Sequence, residues 1–166
     1  MAISGDMVLE GGAEMQRALL RLEDRLQRKV LTTAVRKAAR PIVRSARGKV
    51  PRDRDLLRRS LGTRIKRYRQ SGNHVAIIGP RTGFAQTDEQ GRRRDPAKYG
   101  HIVEGGAEPH FQVAAKIGPI VIRAFRHPGT RPQRFMEPAF DENKTTALNI
   151  MGDEVRKGIT KAGGFV

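Results

Sequence analysis

Cysteine and tryptophan are absent from the 166 residues, and other aromatics are scarce, with six Phe and two Tyr. Without cysteine there is no disulfide framework, no thiolate metal site and no cysteine nucleophile. No run approaches the roughly 18 consecutive apolar residues of a membrane-spanning helix, and Met1 to Glu10 holds neither the basic region nor the apolar stretch of a secretory signal. No membrane partner is expected, and the chain should be made and used in a cytoplasm or inside a particle. Acids are also in short supply: 17 Asp and Glu stand against 33 Lys and Arg, a formal net charge of +16. With 37% apolar residues the chain can still bury a core. It therefore reads as a single globular domain over 1–166, not as a disordered basic tail.

The excess charge is concentrated. Between Met15 and Gln70 lie 19 Lys and Arg and four acids (Glu23, Asp24, Asp53, Asp55), so this third of the chain carries +15 of the +16. Arginine makes up 24 of the 33 basic residues, and its planar fork suits phosphate and carboxylate better than the point charge of lysine. A polyanion or an acidic protein surface is the natural partner.

Residues 14–48 form a basic helical region. Leu19, Leu22, Leu26 and Val30 recur three or four apart, with Arg17, Arg21, Arg25 and Arg28 on another face, which is one amphipathic helix. A second follows from Leu31 to Gly48, with Leu31, Ala34, Val35, Ala38 and Ile42 opposed by Arg36, Arg40, Arg44 and Arg47; Thr32 and Thr33 mark the expected junction. Pro41 should kink this helix or sit where packing tolerates a lost hydrogen bond. A solvated face ordinarily mixes signs, yet no acid lies between Arg25 and Arg52. Arg36, Arg40, Arg44 and Arg47 are thus candidates for facing DNA or an acidic partner.

Residues 61–126 read as a small, mostly antiparallel sheet with a long loop. Thr63–Tyr68 and His74–Ile78 are β-prone around Ser71, Gly72 and Asn73, a hairpin. Gly79–Pro96 is polar and carries Arg92, Arg93 and Arg94, further candidates for an anionic partner; a loop of this length points to function or assembly. Lys98–Glu104 is a short segment stopped by Gly105 and Gly106, and two strands, His110–Ala115 and Pro119–Phe125, follow. A proline-rich arm covers 127–138, a C-terminal helix 139–157 and a flexible Gly-containing tail 158–166. The sum is an α+β domain: an N-terminal helical pair, a sheet with its loop, and a C-terminal helix.

No constellation supports catalysis or a bound cofactor. His74, His101, His110 and His127 lack the spacing of a zinc site, and no phosphate-cradling loop or nucleophile elbow occurs. Asp141, Glu142 and Lys144 could in principle hold a metal and activate water, but such a triplet is common at a helix start, where acids meet the dipole favourably. The expectation is no enzyme, no metal and no cofactor.

The order of these features resembles a known family. Helices ending at Pro51, a short turn with Leu56 and Ser60, a hairpin, then Tyr99-Gly100-His101-Ile102-Val103-Glu104-Gly105-Gly106, and finally His127-Pro128-Gly129-Thr130-Arg131-Pro132-Gln133-Arg134-Phe135-Met136-Glu137-Pro138-Ala139-Phe140, are similar to the small tail-completion or head-tail joining proteins of long-tailed bacteriophages. Where that family has Thr-Gly-x-Leu, this chain has Arg54-Asp55-Leu56-Leu57, and Arg134, not proline, precedes Phe135. The resemblance implies a virion structural protein of the neck, a homo-oligomeric ring, hexameric by preference, between the head connector or stopper and the tail tube, with double-stranded DNA in its channel. It places Glu104, Pro132, Phe135, Met136, Pro138 and Phe140 at the contact between subunits, the prolines stiffening an apolar arm; the other reading is that the arm packs over its own sheet and introduces the last helix, with Glu104 an exposed acid at a strand end. The alternative reading is a free basic nucleic-acid-binding protein.

Overall fold

The computed structural model describes residues 11–22, 24–52, 55–68, 70–87, 91, 93–117 and 120–163. Two long helices set its frame, α2 (Asp24–Lys49) and α5 (Met136–Lys161), 26 residues each and so about 39 Å long. They pack on each other more extensively than any other pair of elements. On α2 the buried residues Ala34, Ala38, Ala39, Ile42, Val43 and Ala46 recur at helical spacing, and four of the six are alanine, which lets the partner come close. Gly158 on α5 is part of the same closeness: a Cβ there would stand 2.6 Å from Val30 Cγ1. Two ion pairs zip the seam, Lys37 Nζ to Glu154 at 2.6 Å and Lys49 Nζ to Glu142 at 2.8 Å, the second joined by Ser45 Oγ donating to Glu142.

The helix junction expected at Thr32 and Thr33 is not there; both residues lie inside α2. The first helix, α1 (Gly12–Leu20), ends in a turn in which Arg21 and Leu22 donate to the carbonyls of Ala18 and Leu19. The apolar period did not reveal this break because Leu19, Leu22 and Val30 all pack on one cluster, Met15, Ala18, Ala34, Val155 and Ile159. The chain turns, but its apolar residues keep facing the same core. Pro41 is carried inside α2, half-buried, with Ala38, Ala39, Ile42 and Val43 buried around it and Arg40 exposed beside it.

A short helix, α3 (Leu56–Ser60), leads into the antiparallel hairpin of β1 (Leu61–Arg67) and β2 (His74–Pro80), paired from Leu61 with Pro80 to Arg67 with His74. Both strands pack against α2. The expected long loop contains a minimal antiparallel ladder of its own, β3 (Gln86–Thr87) with β4 (Arg93–Arg94). The segment after it is a ten-residue helix, α4 (Pro96–Gly105), started by Asp95, whose Oδ1 accepts from Ala97 N at 3.1 Å, with proline at the first position.

Beyond α4 the two expected strands are split. β5 (His110–Gln112) pairs with β8 (Phe125–His127), and β6 (Ala115–Ile117) with β7 (Ile120–Ile122), all antiparallel. In place of one small sheet, the described residues thus hold four separate two-stranded ladders; the α+β class stands. The outer hairpin is clamped at its base, where Ala107 and Thr130 exchange N–H···O bonds of 2.9 and 2.8 Å. Gly106 (φ +73°) and Gly129 (φ +84°) flank the clamp, and a Cβ on Gly129 would fall 2.5 Å from the Ala107 carbonyl oxygen. Only glycine permits both the left-handed backbone and the approach.

The second core cluster joins α2, α3, β1 and the start of α5: Ala46, Val50, Leu57, Leu61, Phe135 and Ala139, with Tyr99 and Val103 of α4 packed against it. Phe135 is 1% exposed. The C-terminal helix begins at Met136, earlier than the expected 139, and runs to Lys161, so the proline-rich arm is shorter than 127–138 and Pro138 sits in the first helical turn. Residues 158–161, expected in a flexible tail, are helical; 164–166 lie outside the described residues.

Candidate functional site: a basic face and an apolar groove

The buried stripe of α2 leaves Arg36, Arg40, Arg44 and Arg47 on the opposite, exposed side. Arg47 is engaged within the chain, its Nη2 donating to the Leu61 carbonyl at 2.7 Å. Arg36, Arg40 and Arg44 have no hydrogen-bond or ion-pair partner among the described residues. Lys37 and Lys49, which belong to the same basic run in the sequence, are turned towards α5 and neutralised there. Of the four candidate arginines on α2, three on successive turns are thus open. Arg93 and Arg94 sit on β4, the first exposed and the second half-buried; β4 does not pack extensively on α2, so the structure does not merge the two arginine groups. Arg92 lies outside the described residues.

The residues expected at a subunit contact fall into two sets. Phe135 and Glu104 are used within the chain. The Glu104 carboxylate caps α5: Oε2 accepts from Phe135 N at 2.8 Å and Met136 N at 2.9 Å, and Oε1 from Glu137 N at 3.1 Å. Phe135 stands at the N-cap position and has no side-chain oxygen to serve there. A carboxylate from α4 does the work instead, meeting both the free N–H groups and the positive end of the helix dipole. Pro132 is exposed, whereas Met136, Pro138 and Phe140 are half-buried.

Met136 and Phe140 line a groove of about 1160 Å³ between α2, α5 and β2. Its walls are largely apolar: Val35, Ala38, Ala39 and Ile42 from α2, Ala76 to Ile78 from β2, and Ala147 and Met151 from α5, with Glu104, Arg134 and Glu137 at one end. Sequence reasoning did not identify this groove. The signal was the width of the apolar faces on α2 and α5, each broader than one helix partner can cover.

Both carboxylates of the possible metal triplet are in ion pairs, one of them within the triplet. Asp141 pairs with Lys144 at 3.2 Å and Glu142 with Lys49. Hydrogen bonding from Lys49 holds the Glu142 carboxyl below its usual range, and Lys37 does the same for Glu154. Among the described residues no group of three or more His, Asp or Glu side chains could hold a metal ion, and no helix is long and apolar enough to cross a membrane. His110 and His127 stack on each other at 5.0 Å across the base of the outer hairpin.

A basic face and an open apolar groove lie on one small α+β frame. The family model of bacteriophage HK97-gp10, described as a tail component, matches residues 13–106, and the chain belongs to that family. It is thus a bacteriophage tail structural protein, whose place is the virion and whose partners are other phage structural proteins. Comparison with curated proteins and with solved structures returned no match. The match ends at Gly106, so the outer hairpin and the Phe135–Phe140 block lie beyond it.

Proposed function

We propose that this chain forms a ring in the neck of the virion, closing the tail or joining it to the head connector, with the genome passing through its channel. The observation that carries the reading is the unpaired row Arg36, Arg40 and Arg44 on α2 of a phage tail component. A domain of this length has a radius of gyration of about 15 Å, so a ring one subunit thick is roughly 30 Å tall. Duplex DNA over that height carries about 18 negative charges. Six copies of +16 give +96, so a minority of the positive charge suffices to face DNA, and acidic neighbours or solvent take the rest. The role is structural, not catalytic. Mass photometry of the purified chain, alone and with the connector and tail-tube proteins of the same phage, tests it. Closed rings or mixed complexes of defined stoichiometry are expected. Persistent monomers that bind duplex tightly and ignore the neck proteins would instead favour the free nucleic-acid binder.

A further inference from the structure

The outer hairpin, β5 to β8, carries exposed apolar side chains: Phe111 at 67%, Val113 at 71% and Phe125 at 45% relative exposure. It packs extensively on none of the five helices, and its strands meet chiefly each other. An isolated two-stranded hairpin is marginal in water. The register sets Phe111 opposite Arg126 and Phe125 opposite Gln112, so Phe111 and Val113 share one face and Phe125 lies on the other; exposed apolar side chains on a hairpin that no helix covers mark an interaction surface. The Ala107–Thr130 clamp and its two glycines fix the direction in which the hairpin leaves the body. From Pro109 to Ile117 it extends about 25 Å, enough to reach a neighbouring subunit.

The same chain presents a receptor of matching character. The α2/α5/β2 groove is apolar along its length, and β2 borders it with a free edge among the described residues. Tyr68 N bonds to Asn73 O and Arg81 N to Ser60 O; this phase of the antiparallel ladder turns the backbone N–H and C=O of Ala76 and Ile78 away from β1 and towards that edge. Open strand edges accept an added strand. Charge leans the same way. Residues 110–127 contain Lys116, Arg123 and Arg126 and no acid, whereas the charged lining of the groove, Glu104, Glu137 and Arg134, is net negative by one, Glu137 being paired with Arg134.

We propose that the 107–130 hairpin of one copy seats Phe111 and Val113 in the α2/α5/β2 groove of the next copy, along the β2 edge. Hairpin and groove are different surfaces, so the contact is head-to-tail and closes only as a ring or runs on as a filament. The inference rests on the ring reading above and specifies its interface.

The cysteine-free sequence makes a direct test clean. Phe111→Cys and Ile77→Cys are placed in separate copies of different size, mixed and oxidised. The expected result is a mixed-size disulfide dimer at least tenfold above the yield of Phe111→Cys with Glu14→Cys, both exposed positions. Both substitutions in one chain should give a ladder ending in a covalently closed ring. Phe111→Asp, at a residue with little to lose in the monomer, should weaken assembly about 30-fold, the effect of one interface anchor, while leaving the circular dichroism unchanged. Rings without the Phe111–Ile77 cross-link, or rings unaffected by Phe111→Asp, overturn the docking and leave the ring reading intact. A cross-link formed only within one chain also overturns the docking. Persistent monomers, with or without neck proteins, overturn both.

Discussion

Glu104 is separated by 31 residues from Phe135, the first backbone N–H it accepts from, and it holds three donors at the head of the longest buried seam in the molecule. Replacing it with alanine leaves those donors unmet against a partly buried helix end. Loss of a capping side chain of this kind costs about 1–2 kcal/mol, which for a domain of this size lowers Tm by about 3–8 °C. Glu104→Gln, which keeps one acceptor oxygen, should lose less; thermal unfolding of the two variants checks the order. The sequence made Glu104 and the Phe135–Pro138 block visible as separate features. Nothing periodic relates positions this far apart, so their meeting was not legible, and prolines on either side made Phe135 look like an outward anchor when it is the centre of its own core.

At the level of elements, α2 and α5 are joined by apolar packing and by two Lys–Glu pairs. Each glutamate titrates below its ordinary range in the folded chain, chiefly through the lysine hydrogen bond. A lowered folded value means that the stabilisation is complete above the unfolded carboxylate range of about 4 and is lost as pH falls through the folded value. Denaturant midpoints should therefore fall between pH 6 and pH 3, and Lys37→Met with Lys49→Met should flatten that part of the profile. The helices, the β1–β2 hairpin and the stop at Gly105 and Gly106 were legible because period, turn residues and glycine act locally. The α1–α2 break was not, since Leu19, Leu22 and Val30 hold one apolar face across it. The split of the outer strands depends on how Val113 and Ala114 pass Arg123 and Ala124, a cross-strand matter that alternation within one strand does not encode.

For the molecule as a whole, the Arg36, Arg40 and Arg44 face and the α2/α5/β2 groove lie on different sides of α2, and so their effects should be separable. Arg36→Gln, Arg40→Gln and Arg44→Gln together should leave ring formation unchanged while weakening duplex binding, with the dependence on log salt shallower by about 0.9 for each phosphate contact removed. Mass photometry and binding titrations at several salt concentrations separate the two readouts; loss of the ring would mean the arginines lie in the subunit contact. Composition alone pointed to an anionic partner but overstated the surface that meets it, because Lys37, Lys49 and Arg47 are spent inside the chain. The groove depends on three elements distant in sequence and was invisible until they were assembled.

The clamp between Ala107 and Thr130 brings the two ends of the hairpin side by side. Whatever lies between them can therefore be lengthened, shortened or exchanged without altering how α4 delivers Glu104 to α5. Under the docking proposed above, the hairpin would set which copies recognise one another, as an interchangeable cassette. Identity can then diverge there while the frame beneath it stays the same.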